Sequence, residues 1–175
     1  MEVNMQDNGM VLVPWLVEVT AHVSSFVDRP SRIGEGTIIW HFCHIRENVK
    51  IGRNCSFGQG CYIANGVTIG DNVRVQNNVS IYEGAVIEDD VFIGPSVVFT
   101  NIRKPRAAKP NKEYEVTLIK RGASIGANAT ILCGTTVGEG ALVGCGSVIN
   151  KNVPPFSLTV GNPGRVIKML EQEGI

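Results

Sequence analysis

An aliphatic or phenylalanine residue recurs at every sixth position through most of this 175-residue chain, and this period restricts the possible folds more than any other feature. The repeated residues are Val27, Ile33, Ile39, Ile45, Ile51, Phe57, Ile63, Ile69, Val75, Ile81, Ile87, Ile93 and Phe99, then Ile119, Ile125, Ile131, Val137, Val143 and Ile149. A mostly small residue stands two positions before each of them. Because residues two apart on a strand share a face, each repeat predicts a short strand with two inward side chains.

The residues between the predicted strands are rich in Gly, Asn and Asp, as in the segments IGRN, IGDN and IGEG. These residue types tolerate the positive φ angles of tight turns. A period of six fits neither a helix nor a plain amphipathic strand, but it fits a strand followed by a corner. Three such sides give a coil of about 18 residues, and stacked coils form a parallel β-helix. The predicted fold class is therefore all-β, with about six coils; a sandwich of short strands would not keep this register.

One long interruption leaves the repeat. Phe99 and Ile119 are separated by 20 residues instead of six, which predicts an inserted loop at about 101–118. Its cations are Arg103, Lys104, Arg106, Lys109 and Lys112. Long loops on rigid scaffolds often carry function, so the basic character predicts contact with a phosphate or a carboxylate. The alternative is a loop that is merely solvated.

The two ends of the chain also depart from the repeat. Residues 1–26 are predicted to form an irregular N-terminal cap, and the β-helix itself is assigned to 27–153. The tail, 154–175, is predicted to hold a short helix from about Pro163, with Asn162 as its N-cap. Such a helix would cover the open last coil.

Composition excludes several classes of protein. Sixteen Lys+Arg against sixteen Asp+Glu give no net charge, which argues against a nucleic-acid or membrane-surface protein. No apolar run approaches the roughly 20 residues of a membrane span, and the first residues lack the positive charge of a signal peptide. Five cysteines without zinc-like spacing favour free thiols in the cytoplasm. Zinc needs three or four ligands; with only three histidines, no metal site is predicted.

Residues 18 apart should lie above one another on neighbouring coils, and this places polar side chains in columns. His41 is predicted to stack with Gln59 and Asn77, and His44 with Tyr62 and Ser80. Glu47 is predicted to stack with Asn65, Glu83 and Asn101, the last at the root of the inserted loop. These columns predict a substrate groove beneath the loop. The alternative for each Asn is that it serves the geometry of a corner.

The segments IGEGTIIWHFCHI, VQNNVSIYEGAVIEDDVFIGPSVVFTNIRKPRA, LIKRGASIGANATI and VPPFSLTVGNPGRVI resemble the hexapeptide-repeat acyltransferases, which are left-handed β-helices. Within that family the chain looks most similar to N-acetyltransferases of UDP-2-acetamido-3-amino-2,3-dideoxy-glucuronate, whose product enters bacterial surface polysaccharide such as lipopolysaccharide O-antigen. The resemblance implies left-handed winding, a homotrimer with sites between subunits, and acetyl-CoA as co-substrate along the later coils. Transfer to another nucleotide amino sugar, O-acetylation of a serine-like acceptor and a non-catalytic scaffold remain alternatives.

The resemblance also implies roles for individual residues. Acetyl-CoA is expected to contact Gly126, Gly144, Gly146, Asn162, Arg165 and Lys168. The nucleotide sugar is expected near His41, His44, Gln59, Tyr82, Asn101 and Arg103. Asn77 or Asn78 is expected to orient and polarise the reacting groups, and Glu83 to position the amine or take its proton. No histidine follows His44, and an amine with a pKa of about 8 needs less help from a base than a hydroxyl.

Overall fold

The chain is a parallel β-helix in the computed structural model, which describes residues 9–108 and 113–171. In chain order its strands are β1 (Met10–Leu12), β2 (Thr20–His22), β3 (Phe26–Val27), β4 (Arg32–Ile33), β5 (Ile38–Ile39), β6 (His44–Ile45), β7 (Lys50–Ile51), β8 (Ser56–Phe57), β9 (Tyr62–Ile63), β10 (Thr68–Ile69), β11 (Arg74–Val75), β12 (Ser80–Ile81), β13 (Ala85–Ile87), β14 (Phe92–Ile93), β15 (Val98–Phe99), β16 (Thr117–Ile119), β17 (Ser124–Ile125), β18 (Thr130–Ile131), β19 (Thr136–Val137), β20 (Leu142–Val143), β21 (Val148–Ile149), β22 (Ser157–Val160) and β23 (Arg165–Met169). The predicted six-residue period of strand and corner is confirmed.

Three sheets form the sides of the coil. Sheet A has ten strands in the order β1-β2-β5-β8-β11-β14-β17-β20-β22-β23, sheet B has seven in the order β21-β18-β15-β12-β9-β6-β3, and sheet C has six in the order β19-β16-β13-β10-β7-β4. Neighbouring strands pair in parallel between residues 18 apart, as Ile39 pairs with Phe57 and Tyr62 with Ser80. The chain runs from sheet A to B to C and then rises to the next coil.

The core is a stack of inward-facing aliphatic and aromatic side chains. Every repeated residue from Ile33 to Ile149 is buried, with at most 7% of its surface exposed, and Val27 is half-buried. Cys43, Cys55 and Cys61 each stand two residues before a repeated core residue, and all three are buried as small apolar side chains of the core. Cys133, which follows β18 at a corner, is also buried, whereas Cys145 is exposed.

Both ends differ from their predictions. The N-terminal region, expected to be irregular, contains β1 and β2 as an antiparallel pair, and β2 already pairs in parallel with β5. At the other end the predicted helix after Pro163 is wrong. Arg165–Met169 is β23, antiparallel to β22, with Asn162 in the exposed turn between them. A short isolated helix is marginal in water, whereas β23 gains backbone hydrogen bonds at the top of sheet A.

The inserted loop leaves the coil between β15 and β16 without disturbing the stack. Ile87 pairs with Ile119 and Phe99 with Ile131, so strands on either side of the insertion keep their parallel register. The structure contains no helix in residues 9–108 and 113–171, and hence none there that could cross a membrane. Lys109 and Lys112 of the loop lie outside the described residues.

Candidate functional site

Two polar corners flank sheet B and hold most of the predicted site residues; His44 lies on sheet B itself, and Asn162, Arg165 and Lys168 lie at the end of sheet A. The A–B corner joins strands of sheet A to strands of sheet B, and comprises residues 22–25, 40–43, 58–61, 76–79, 94–97, 126–129 and 144–147. The B–C corner joins sheet B to sheet C, and its described residues are 28–31, 46–49, 64–67, 82–84, 100–108, 113–116 and 132–135. The polar columns that were predicted to form one substrate groove therefore lie on two separate surfaces of the chain.

The B–C corner carries the predicted column of carboxylates and amides. Asn65 donates its side-chain N–H to Glu47 Oε1 at 2.8 Å, and Asn101 donates to Glu83 Oε2 at 3.1 Å. The four residues lie on successive coils because each follows a strand of sheet B at the same offset. The stacking deduced from the 18-residue period is confirmed here.

Glu47 and Glu83 occupy equivalent positions in very different surroundings. Arg46 donates two hydrogen bonds to Glu47, at 2.9 and 3.1 Å. Arg46, the Glu47 backbone N–H and Asn65 together lower the pKa of Glu47 to about 2. Glu83 has the Asn101 hydrogen bond and, among the residues that the structure describes, no cation within salt-bridge distance. Glu83 is therefore the carboxylate of this column that remains available for a ligand's ammonium group.

The base of the inserted loop is closed by an ion pair. Arg103 contacts the Glu115 carboxylate at 3.0 Å and donates to the carbonyl oxygen of Cys133 at 2.8 Å. The Arg103 hydrogen bond lowers the pKa of Glu115. Arg103 was predicted to bind substrate; the structure shows its guanidinium engaged by the protein. Glu115 and Cys133 were missed because the insertion breaks the 18-residue spacing.

The histidines of the segment IIWHFCHI lie on different surfaces. His44 points outward from sheet B, 2.9 Å from Asp28, and its ring meets the edge of Tyr62 at 5.9 Å between centroids. His41 stacks on His22 at the A–B corner, with centroids 3.7 Å apart. Burial and the neighbouring His41 lower the pKa of His22. Asp28 was missed, although it stands 18 residues before Arg46 and contacts it at 3.2 Å.

Tyr82 lies beside Glu83 on the B–C corner. Its side chain is exposed and packs against Tyr62, with ring centroids 5.8 Å apart. Together with His44 these rings form an aromatic face next to the column of carboxylates. The position fits a contact with a sugar, and it leaves Tyr82 as a predicted substrate residue.

The two asparagines expected to act in catalysis serve the A–B corner. Asn77 Oδ1 accepts a hydrogen bond from the backbone N–H of Gln59 at 3.0 Å. Asn78 has a φ of 59°, the left-handed conformation that the corner requires. Both lie at the opposite end of β12 from Glu83. Asn77 still presents its side-chain N–H groups, because only its oxygen is used by the coil.

The residues expected to hold acetyl-CoA form a column on the upper A–B corner and the neighbouring part of sheet A. A Cβ on Gly126 would lie 2.6 Å from the backbone nitrogen of Cys145, and one on Gly144 would lie 2.6 Å from Val160. These two glycines are explained by contacts between coils. A Cβ on Gly146 would meet nothing within 4 Å, so this position borders open space where a thin ligand can approach the backbone.

Two exposed cations lie on the last strand of sheet A: Arg165 at the end that pairs with Val160, beside the A–B corner, and Lys168 toward the other end, where it pairs with Leu158. Arg165 and Lys168 belong to β23, and neither makes an ion pair with a described residue. Arg165 lines a cavity of about 270 Å³ with Lys151 and Thr159. Their positive charge suits phosphate groups.

No cluster of three or more potential metal-ligating side chains occurs within 9–108 and 113–171.

The fold and the stacked corners together define a transferase of the hexapeptide-repeat class. The model for bacterial transferase hexapeptide, in six repeats, matches residues 30–65, 66–101 and 117–151. A second model, the hexapeptide repeat of succinyl-transferase, matches residues 48–83. The chain belongs to the bacterial hexapeptide transferase family and is an acyltransferase.

Three known proteins illustrate the likeness. The chain is 44% identical over 145 residues to dTDP-3-amino-3,6-dideoxy-alpha-D-galactopyranose 3-N-acetyltransferase of Aneurinibacillus thermoaerophilus, covering 83% of this chain and 75% of that protein. It is 26% identical to a galactoside acetyltransferase solved with coenzyme A, with a TM-score of 0.63 over 71% of this chain and 66% of that one. The acetyltransferase domain of PglB from Neisseria gonorrhoeae, solved with acetyl coenzyme A, shares the fold at 21% identity, with a TM-score of 0.61 over 88% and 60%.

Proposed function

We propose that the protein transfers the acetyl group of acetyl-CoA to the amino group of a nucleotide-linked 3-amino sugar. The observation that carries this proposal is the 44% identity to a dTDP-3-amino sugar N-acetyltransferase, which extends over 83% of the chain. The Glu83 carboxylate, which has no cation partner among the described residues, supports it, since an ammonium group is a natural partner of such a side chain. A setting in bacterial surface polysaccharide synthesis in the cytoplasm is part of the proposal.

Glu83 holds the acceptor nitrogen and takes its proton in the proposed reaction. Acetyl-CoA supplies the acetyl group when bound. The bound ammonium first loses one proton to solvent. The neutral amine then forms the C–N bond as the C–S bond breaks, and Glu83 takes the second proton from the nitrogen and passes it to the departing thiolate. An amine with a pKa of about 8 is partly neutral at pH 7. Most of the lowering of the activation free energy comes from holding the two reactants in the reacting orientation, which is worth roughly 7–11 kcal/mol in well-oriented reactions.

The A–B corner is the proposed donor side. The Asn77 side-chain oxygen accepts from Gln59, and its side-chain N–H groups make no hydrogen bond with a described residue, so they can donate to the thioester oxygen as negative charge develops. One such donor contributes about 3–4 kcal/mol to transition-state stabilisation. The open surface at Gly146 fits the narrow arm of the donor, and Arg165 and Lys168 fit its phosphates.

Cys145 offers a direct test of this donor path. It is the one exposed cysteine of the five and stands between Gly144 and Gly146. We expect 1 mM acetyl-CoA to slow alkylation of Cys145 by iodoacetamide at least about tenfold, since occupancy at 100 times Kd leaves about 1% of the sites free. Mass spectrometry of the labelled peptide measures the rate, with Cys145→Ser as the background. Equal rates with and without acetyl-CoA would place the donor elsewhere.

A homotrimer would bring the two corners together. The donor residues lie on the A–B corner and the acceptor residues on the B–C corner, at opposite ends of the strands of sheet B. In a trimer with three-fold symmetry, the A–B corner of one subunit can face the B–C corner of the next. Light scattering should then give a mass of three 18.9 kDa chains; a monomeric, active protein would remove this arrangement.

A panel of acceptors tests the function itself. Thiol release from acetyl-CoA is measured with dTDP-3-amino-3,6-dideoxy-galactose and with UDP-2-acetamido-3-amino-2,3-dideoxy-glucuronate, which the sequence resemblance favours. Serine and a galactoside serve as hydroxyl acceptors. We expect at least one amino sugar to exceed the hydroxyl acceptors by about 100-fold or more in kcat/KM, because a hydroxyl needs a stronger base. Turnover of a hydroxyl acceptor alone would refute N-acetylation.

A further inference from the structure

Both arms of the inserted loop touch the surroundings of Glu83. On the outgoing arm, Asn101 donates to the Glu83 carboxylate at 3.1 Å. On the returning arm, Tyr114 and Glu115 lie over Gly84: a Cβ on Gly84 would be 2.9 Å from the Glu115 carbonyl oxygen and 3.2 Å from Tyr114 Cβ. Gly84, with a φ of 88°, thus allows the loop to pack directly beside Glu83.

Among the described residues of the loop, one ion pair joins the two arms. Arg103 is on the outgoing arm and Glu115 on the returning arm, and their 3.0 Å contact is anchored to the next coil through the Cys133 carbonyl oxygen at 2.8 Å. Gly134 leaves the room for this contact, because a Cβ there would overlap the Glu115 carboxylate and lie 2.9 Å from the Arg103 guanidinium. We call Arg103, Glu115 and the Cys133 carbonyl the loop clasp.

Tyr114 lies against Gly84, the residue that follows Glu83. It is 41% exposed, and its neighbour Glu115 is the residue that the loop clasp fixes. An exposed aromatic ring beside a carboxylate is a suitable wall for a sugar, whose C–H groups pack on the ring while an attached ammonium reaches the carboxylate.

We propose that the loop clasp is a positioning device for the acceptor and that Tyr114 is the wall against which the sugar ring packs. The clasp keeps Asn101 on Glu83 and Tyr114 beside it, so the amine is presented to the donor in one orientation. This rests on the proposed function. Arg103 and Glu115 act as positioning residues, in place of the direct substrate contact predicted for Arg103.

The loop clasp contributes little to the stability of the fold. A loss of activity in a clasp variant can therefore be distinguished from a loss of folding stability. Both side chains are about half exposed, at 44% and 47%, and exposed ion pairs add little to folding free energy. The coils on either side of the loop keep their own backbone pairing. Disruption of the clasp should therefore leave the melting temperature within about 2 °C of the wild-type value.

Kinetics of Glu115→Gln test the proposal. We expect kcat/KM for the amino sugar to fall about 100-fold, the cost of a small misplacement of reacting groups, with KM for acetyl-CoA unchanged. Glu113→Gln is the matched control, since Glu113 is exposed on the same arm and makes no ion pair with a described residue. Tyr114→Ala should raise KM for the sugar about tenfold, and Tyr114→Phe should keep the wild-type value.

A second measurement does not depend on activity. Trypsin cleavage after Arg103, followed by mass spectrometry, should be at least about fivefold faster in Glu115→Gln than in the wild type or Glu113→Gln, because the guanidinium loses its partner. Unchanged cleavage would show that the loop clasp does not hold the arms. Loss of cleavage protection with wild-type sugar kinetics would show that it holds them without positioning the acceptor. A wild type inactive on every amino sugar would instead refute the proposed function.

Discussion

Glu83→Gln is expected to lower kcat for the amino sugar by about 100-fold or more, the usual contribution of a positioned acid or base. The amide keeps the hydrogen-bonding shape of the carboxylate but lacks the charge that holds an ammonium and the basicity that takes its proton. The effect should be larger on kcat than on KM for acetyl-CoA, because Glu83 acts in the proposed reaction on the acceptor nitrogen and not on the CoA part of the donor. Steady-state thiol release at saturating acetyl-CoA measures it.

Glu47→Gln is the matched control for this result. Glu47 has the same offset from its strand and an asparagine partner in the equivalent position, but its carboxylate is already bound by Arg46. The reaction therefore should not need it, and kcat should stay within about threefold of the wild type. Equal losses in the two variants would show that the whole column has a general structural role, and full activity of Glu83→Gln would remove Glu83 from the chemistry.

Phe57→Ala is expected to lower the free energy of unfolding by about 3–5 kcal/mol, the usual cost of emptying a buried aromatic site. Phe57 is fully buried, and its strand pairs with Ile39 below and Val75 above. Removal of the ring leaves a cavity on the coil axis that the stiff backbone ladder cannot close. Urea denaturation followed by circular dichroism measures the change.

Phe92→Ala is the comparison of the same residue type in the same sheet. Its ring points outward from β14 and is 41% exposed, so the expected change is below about 1 kcal/mol. A similar loss in both variants would mean that outward positions of sheet A are buried in the working protein, as they would be in an interface. A small loss for Phe57→Ala would contradict the stacked core.

The sequence predicted the coil well because the determinants of the coil are local and repeated. In each hexad, the two-residue alternation of a strand decides that the large residue faces inward. The 18-residue spacing then predicts that Glu83 lies beneath Asn101, and no other contact needs to be known for this prediction. The contact of Glu115 with Arg103 could not be reached in this way. It depends on the path of an insertion that follows no period.

Other parts of the site were ambiguous in sequence because one residue type serves two purposes. Asn78 in a left-handed corner and an asparagine in a catalytic site look identical in sequence. The segment GNPG favoured a helix start through Asn162 and Pro163, yet the same residue types form turns. Pairing of β23 with β22 decided the outcome. In the proposed function, recognition of the acceptor depends on side chains from the loop and, in the proposed trimer, on a second subunit.

The unbroken register across the insertion has a consequence for how such a protein can change. The strands before and after the loop pair as if it were not there, so the loop's length is set by the arms alone and not by the coil. Doubling a flexible loop costs only about 0.6 kcal/mol in closure entropy. The loop could therefore be exchanged between relatives at the root residues 101 and 117 without changing the β-helix. In the proposed function, such an exchange would alter the choice of acceptor.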